Sequence, residues 1–343
     1  MTRTPLYQGA AAEAARQFQP SKGVWSGNAG LWYDKFCNQW AIDFSGLSGE
    51  NAKRDWVESV VRSPAGPVKT GPATLLAEHA RRREALVTRQ EGQILAMRLD
   101  SRFATGLGRR HPVENGFAWN HSLGVPYLAG AGVKGLVRAW ATFEAEGVTP
   151  ADIERIFGPL PGERLHVGSV IFLDALPTAP VSMAVEVMTP HTGPWNGADP
   201  DTLTLNDAPA DWNSPNPVPY LVMEAGAVMQ FAILPRTRAD TLDAKQARDW
   251  LCEALSWLGA GAKTAIGFGR FSPAESAAGT DPVSPFAVSR TTASRNTRTA
   301  PAHQRGFVDG EEVRILRYEG DKAVVEFVET GDVETVEVKE IVF

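Results

Sequence analysis

Val133, Leu136, Val137 and Trp140 recur at i, i+3, i+4 and i+7, the spacing that lines one face of an α-helix. Ala247, Leu251, Ala254, Leu255 and Leu258 mark a second amphipathic helix, and Leu75, Leu76, His79, Arg83 and Leu86 predict a looser one over 75–88. The run Ile94–Leu99 reads as a strand buried on both faces. Val167–Asp174 and Ala227–Leu234 read as further strands, the latter ended by Pro235. Val181, Met183, Val185 and Val187 alternate with Ser182, Ala184 and Glu186, the period-two signature of a half-buried strand. A last strand begins near Phe268. The order strand, helix, three strands, helix, strand fits a split βαβ arrangement on one sheet. The predicted class is α+β, a ferredoxin-like (RRM-like) domain with insertions.

Around that domain the patterning lapses. Residues 1–74 scatter Phe18, Trp25, Trp32, Tyr33 and Trp40 through irregular sequence and read as an N-terminal arm packed on the core; the domain itself spans 75–272. Residues 189–219, crowded with Pro, Asn and Asp and holding Trp195 and Trp212, read as a long inserted loop, a kind that is usually functional or disordered. Trp195 makes it a candidate wedge. Residues 273–305 are rich in Ala, Ser, Thr and Pro and read as a flexible linker. Beyond them Val313–Leu316, Ala323–Val328 and Val333–Val338 alternate, predicting a small β meander over 306–343.

Charge changes the picture only when it is divided. The chain carries 40 acidic and 34 basic side chains, net −6, which argues against a nucleic-acid partner. Eleven of those acids and four of those bases lie in 306–343, leaving twenty-nine acids against thirty bases in the rest. The body is balanced and can present a basic face; the acidic meander is a candidate protein-binding module or negative flap. No apolar run is long enough to span a membrane and no leader pattern opens the chain, so a cytoplasmic location is expected. Cys37 and Cys252 make neither a disulfide framework nor a metal quartet.

Two glycine-rich segments carry the candidate chemistry. Gly259, Gly261, Gly267 and Gly269 enclose Lys263 and Thr264 and precede Arg270; glycine lets backbone N–H groups turn toward one anion while the cations add charge. Gly130, Gly132 and Gly135 surround Lys134 and lead into a helix bearing Arg138, placing cations where an anion at a helix N-terminus would lie. Arg109, Arg110, His121 and His191 sit in neighbouring loop-like sequence. Together these look like a track for an RNA backbone. Neither segment is a P-loop, because Gly261–Thr264 runs from helix to strand. Gly130–Gly135 formally matches a dinucleotide fingerprint, with Pro126 inside the preceding strand and no well-placed acid following. No His, Cys or carboxylate spacing supports a metal site, and no cofactor is expected.

The motifs Gly106-Leu-Gly108, His111-Pro-Val-Glu-Asn-Gly116, Leu123-Gly-Val-Pro-Tyr-Leu128, Lys134-Gly-Leu-Val-Arg138, Val187-Met-Thr-Pro-His191 and Gly261–Phe271, in this order, resemble the RAMP superfamily. Within it they are most similar to the subunit-six family of the type III-B CRISPR (Cmr) effector complex, an antiviral defense ribonucleoprotein. The match spans roughly 89–272. The resemblance implies a non-catalytic RNA-binding and assembly subunit near the 3′ region of the guide RNA, holding the guide–target duplex backbone among other RAMP subunits. Where the family usually has Pro-Gly-Ser-Ser, this chain has Ala129-Gly-Ala-Gly132, which leaves that stretch only main-chain donors. The enzyme alternative is a metal-independent endoribonuclease trimming guide RNA with His121 or His191 as base.

Overall fold

The structure, a computed structural model, describes residues 23, 25, 27–63, 66–159, 166–197, 199–274, 297–299, 305–308, 311–319, 322–328, 330 and 333–337. Two compact units divide the chain, Met1–Ser276 and Ala277–Phe343. The principal elements of the first are α1 (Ala29–Lys35), α2 (Ala52–Val61), β1 (Lys69–Thr70), α3 (Ala73–Arg89), β2 (Gln93–Leu99), α4 (Gly130–Phe143), α5 (Pro150–Phe157), β3 (Val170–Phe172), β4 (Leu176–Pro177), β5 (Val181–Met188), β6 (Val218–Met223), β7 (Val228–Pro235), α6 (Thr241–Trp257) and β8 (Phe271–Pro273).

The main sheet has the order β4-β7-β2-β8, with β3 also on β7, and every pair is antiparallel. Taking β3 and β4 as one interrupted edge strand, the path β2-α4-β3/β4-β7-α6-β8 is the split βαβ connectivity of ferredoxin-like folds. Leu95, Met97 and Leu99 of β2 meet Met229, Phe231 and Ile233 of β7 on the face that α4 and α6 cover. The helices sit close because their inward stripes are short: Val133, Val137 and Ala141 from α4, Ala244, Ala247, Leu251 and Leu255 from α6.

Four expectations need correction. β2 is not buried on both faces, since Ala96 and Arg98 are exposed. The opposite face is only partly roofed, by α3, through Val87 packing near Ala232, Leu234 and Ile94. There is not one sheet: β5, the alternating strand, leaves it and pairs with β6 and β1 in a three-stranded antiparallel sheet. β6 itself begins with the last two residues of the segment read as the 189–219 loop and continues beyond it. Its six residues are all buried, and Pro219 is tolerated because β6 lies at the edge of its sheet. Residues read as an irregular arm contain two helices, α1 capped by the Asn28 side chain accepting from Leu31 N–H (2.9 Å). Their residues Trp32, Tyr33, Trp56 and Val57, with Trp25, belong to the main core.

The rest of the excursion after β5 is closed at its neck. Asn216 N–H donates to the Pro190 carbonyl (3.1 Å), and Asn213 Nδ2 donates to the carbonyls of His191 (3.2 Å) and Ala208 (3.0 Å).

In the second unit β9 (Thr297–Thr299), β10 (Arg305–Val308), β11 (Glu311–Glu319), β12 (Lys322–Phe327) and β13 (Val333–Glu337) form one antiparallel sheet, β11-β12-β13 being the expected meander. Residues 297–299 and 305, read as linker, pair with β11, while 275–296 and 300–304 lie outside the described residues. Among the described residues no helix is long and apolar enough to cross a membrane.

Candidate nucleic-acid interface

The segment after α6 is built first by packing and only then for contact. Gly259 closes the helix in a left-handed conformation (φ 75°), its N–H donating to Ala254. Ala260 N–H donates to Gly269 (2.8 Å), Gly269 N–H to Arg102 (2.7 Å) and Ala262 N–H to Ala104 (2.7 Å), so the loop's two legs are stitched to each other and to 102–104. A Cβ at Gly261 would overlap the Ala104 carbonyl, and one at Gly269 the Ala260 carbonyl. Gly259, Gly261 and Gly269, predicted to cradle an anion, are instead required by close backbone approach. The loop's tip is the 3₁₀ turn Thr264–Ile266, framed by Lys263 (φ 61°) and Gly267 (φ 92°), the latter in open space. Arg270 is half-buried, with its guanidinium Nη1 enclosed and without a hydrogen-bond partner among the described residues, while the Arg270 backbone N–H donates to Ser101 Oγ (3.0 Å).

The second segment is helix, not loop. Gly130, Gly132 and Gly135 occupy the first turns of α4. Gly130 N–H donates to Asp174 Oδ1 (2.7 Å), and a Cβ at 130 would overlap the Phe172 carbonyl. The chain's own carboxylate therefore holds the helix N-terminus, where an external anion was expected. This also removes the dinucleotide reading, which needs a pyrophosphate at that end. Asp174, at the end of the predicted strand, caps α4 from outside the helix, whose N-cap residue Ala129 has no polar side chain to do so.

One turn further along α4 the cations gather. Burial holds the Lys134 amine below its ordinary range, and Arg138 and Arg236 add repulsion of like sign. Arg236, which follows β7, is fixed by Nε donating to the Gly168 carbonyl (2.7 Å). None of the three is in an ion pair among the described residues. Gly132 and Gly135 beside them are exposed, and nothing lies within 4 Å of where a Cβ at 135 would stand. Sequence reasoning missed Arg236 because it is about a hundred residues from Lys134, with no local motif around it.

The stretch 102–128 links the two regions along one end of the sheet: Ala104 bridges Ala262, and Leu128 bridges Ala175. Arg109 and Arg110 are exposed on it, Arg109 Nη2 donating to Tyr127 Oη at 3.5 Å. His121 Nε2 lies 3.2 Å from Asp34 Oδ2, and His191 Nδ1 lies 2.6 Å from the Asn213 carbonyl. The two histidines proposed as a nuclease base thus each tie chain segments together. Among the described residues no three His, Cys, Asp or Glu converge on a metal position.

His111 stacks flat on Tyr33 (4.1 Å, 4°), with Nε2 at 2.8 Å from the Tyr33 carbonyl and Nδ1 accepting from Val113 N–H (3.3 Å). Burial lowers its pKa below the ordinary histidine value, with Lys35 assisting against the Tyr33 carbonyl and Asp34. The unfolded chain then takes up the proton first as pH falls, so stability is full above the ordinary value and is lost as pH drops through the folded one. Urea midpoints at pH 7 and pH 5 are expected to fall further for the wild type than for His111→Phe, which keeps the stack without the titration. Parallel declines would assign the acid sensitivity to other groups.

The sequence profile described as the RAMP superfamily matches residues 3–272. A curated relative, CRISPR system Cmr subunit Cmr6 of Pyrococcus furiosus, is 26% identical; the match covers 50% of this chain and 64% of that relative's length. Among solved structures, a cryo-EM structure of the type III-B Cmr-beta bound to cognate target RNA is similar with TM-score 0.49 and 22% identity, covering 65% of this chain and 71% of that one. A crystal structure of Cmr6 from Pyrococcus furiosus is similar with TM-score 0.35 and 23% identity, covering 54% and 98%.

Proposed function

This chain belongs to the RAMP superfamily, and from that premise we propose that it is a non-catalytic RNA-binding and assembly subunit of a type III-B CRISPR effector complex. It holds the backbone of the guide RNA toward its 3′ region, and of the guide–target duplex, beside other RAMP subunits. The observation that carries this reading is the group Lys134, Arg138 and Arg236, in which both arginines repel the Lys134 ammonium and none of the three is in an ion pair among the described residues. A polyanion relieves that repulsion, and a phosphate chain can approach along the exposed Gly132 and Gly135.

Base stacking on the sheet does not support an alternative mode of recognition. The sheet face opposite α4 and α6 is partly roofed by α3, and Ala96, Arg98 and Gln230 on it offer no aromatic platform of the kind that RRMs use. Recognition then rests on phosphates, and sequence is read by pairing between guide and target.

Lys134→Gln, Arg138→Gln and Arg236→Gln are each expected to weaken binding of single-stranded RNA to a similar degree whatever its base sequence. Each lowers the slope of log Kobs against log salt by about 0.7. Filter binding at several salt concentrations with two unrelated RNAs checks this. A loss confined to one sequence, or an unchanged slope in all three variants, would sink the reading.

A further inference from the structure

Lys263 stands in the left-handed backbone region (φ 61°) at the tip of the loop, a conformation that a lysine adopts only against steric resistance. Glycine, used at four nearby positions, would have fitted there without strain. Its ammonium Nζ lies 5.3 Å from the centroid of the Tyr220 ring. Tyr220 is 2% exposed, part of the fully buried strand β6, and clustered with Ala104, Val222, Ala262 and Phe268, so it is a rigid mount. Arg102, the other cation acting on Tyr220, is paired with Glu186 and Glu224; Lys263 has no carboxylate partner among the described residues.

We propose that Tyr220 is a positioning residue for RNA, its ring face holding the Lys263 ammonium at a set point above the loop so that it meets one backbone phosphate. This rests on the function proposed above. An aromatic ring suits the task better than a carboxylate. It attracts the ammonium through its quadrupole yet leaves the full positive charge, and the N–H groups turned away from the ring, for phosphate oxygens. An Asp or Glu at the same place would neutralise the charge it was holding. The side-chain freedom of a long lysine is also largely removed before RNA arrives, so less is lost on binding.

The test is RNA affinity in the full chain for Tyr220→Phe, Tyr220→Leu, Lys263→Met and the double variant Tyr220→Leu/Lys263→Met, with Lys134→Ala as a separate arm. Methionine keeps the backbone demand at 263 and removes only the charge. The expected pattern is affinity near wild type for Tyr220→Phe, a loss of about threefold for Tyr220→Leu, and a larger loss for Lys263→Met. The double variant should be no worse than Lys263→Met alone. Unfolding midpoints monitor the packing cost of Tyr220→Leu. Combining Tyr220→Leu with Lys134→Ala should give additive losses.

If Tyr220→Leu weakens RNA binding equally with and without Lys263, its effect is one of packing and the proposal is overturned. The same holds if Tyr220→Leu binds as wild type while Lys263→Met does not. In both cases the RNA-binding function stands. If Lys263→Met and Lys134→Ala are both neutral, the function itself falls.

Discussion

Gly269→Ala is expected to lower the unfolding free energy by about 3 kcal/mol, the sum of a left-handed residue made to carry a Cβ and of overpacking against backbone. Gly269 has φ 71°, and its added Cβ would overlap the Ala260 carbonyl oxygen, an atom of the main chain that no side-chain rotamer can move aside. The two residues are also hydrogen-bonded through Ala260 N–H to the Gly269 carbonyl at 2.8 Å, so separating them breaks the stitch between the legs of the loop. Gly267→Ala is the control. Its φ is 92° but nothing lies within 4 Å, so only the backbone term of about 1–2 kcal/mol applies. Urea unfolding of both variants separates the terms. Equal losses would mean that the close approach at 269 relaxes freely and that these glycines serve the ligand rather than the fold.

Trp56→Ala should cost about 3–5 kcal/mol, a large part of the stability of an ordinary domain. Trp56 is fully buried on α2, its ring centroid 5.2 Å from that of Trp32, and its Nε1 donates to the Tyr33 carbonyl at 3.3 Å. α2 packs on β5 and β6, so the cavity would open between the residues before 75 and the second sheet. An arm merely laid on a finished core would lose less than about 1 kcal/mol on the same truncation, as surface sites do. Equilibrium unfolding followed by tryptophan fluorescence and by far-UV circular dichroism distinguishes the outcomes. Coincident transitions that shift together are expected, because Trp25, Trp32, Tyr33 and Trp56 share one cluster with Leu95, Met97 and Phe231 of the sheet.

Local spacing was enough to find α4, α6, β2, β5 and β7, because a helix or strand writes its buried face into residues three, four or two apart. The ordered motifs from Gly106 to Phe271 were enough to point to the family. The cations at 134, 138 and 263 were also visible, since charge is a property of the residue itself. Pairing was not visible: Pro219 hid β6, and nothing in the alternation of β5 says that it joins β6 and β1 rather than β7. Nor does a glycine declare whether it makes room for a ligand or for the chain's own carbonyl; Gly135 stands in open space while Gly261 and Gly269 press on backbone. Asp174 closing the α4 N-terminus, Arg236 joining Lys134 and Arg138, and Tyr220 carrying Lys263 each bring together residues more than forty positions apart. Such meetings are set by which surfaces pack, a sum over the whole core that no window of sequence contains, so the elements could be read from the chain and the site only from their assembly.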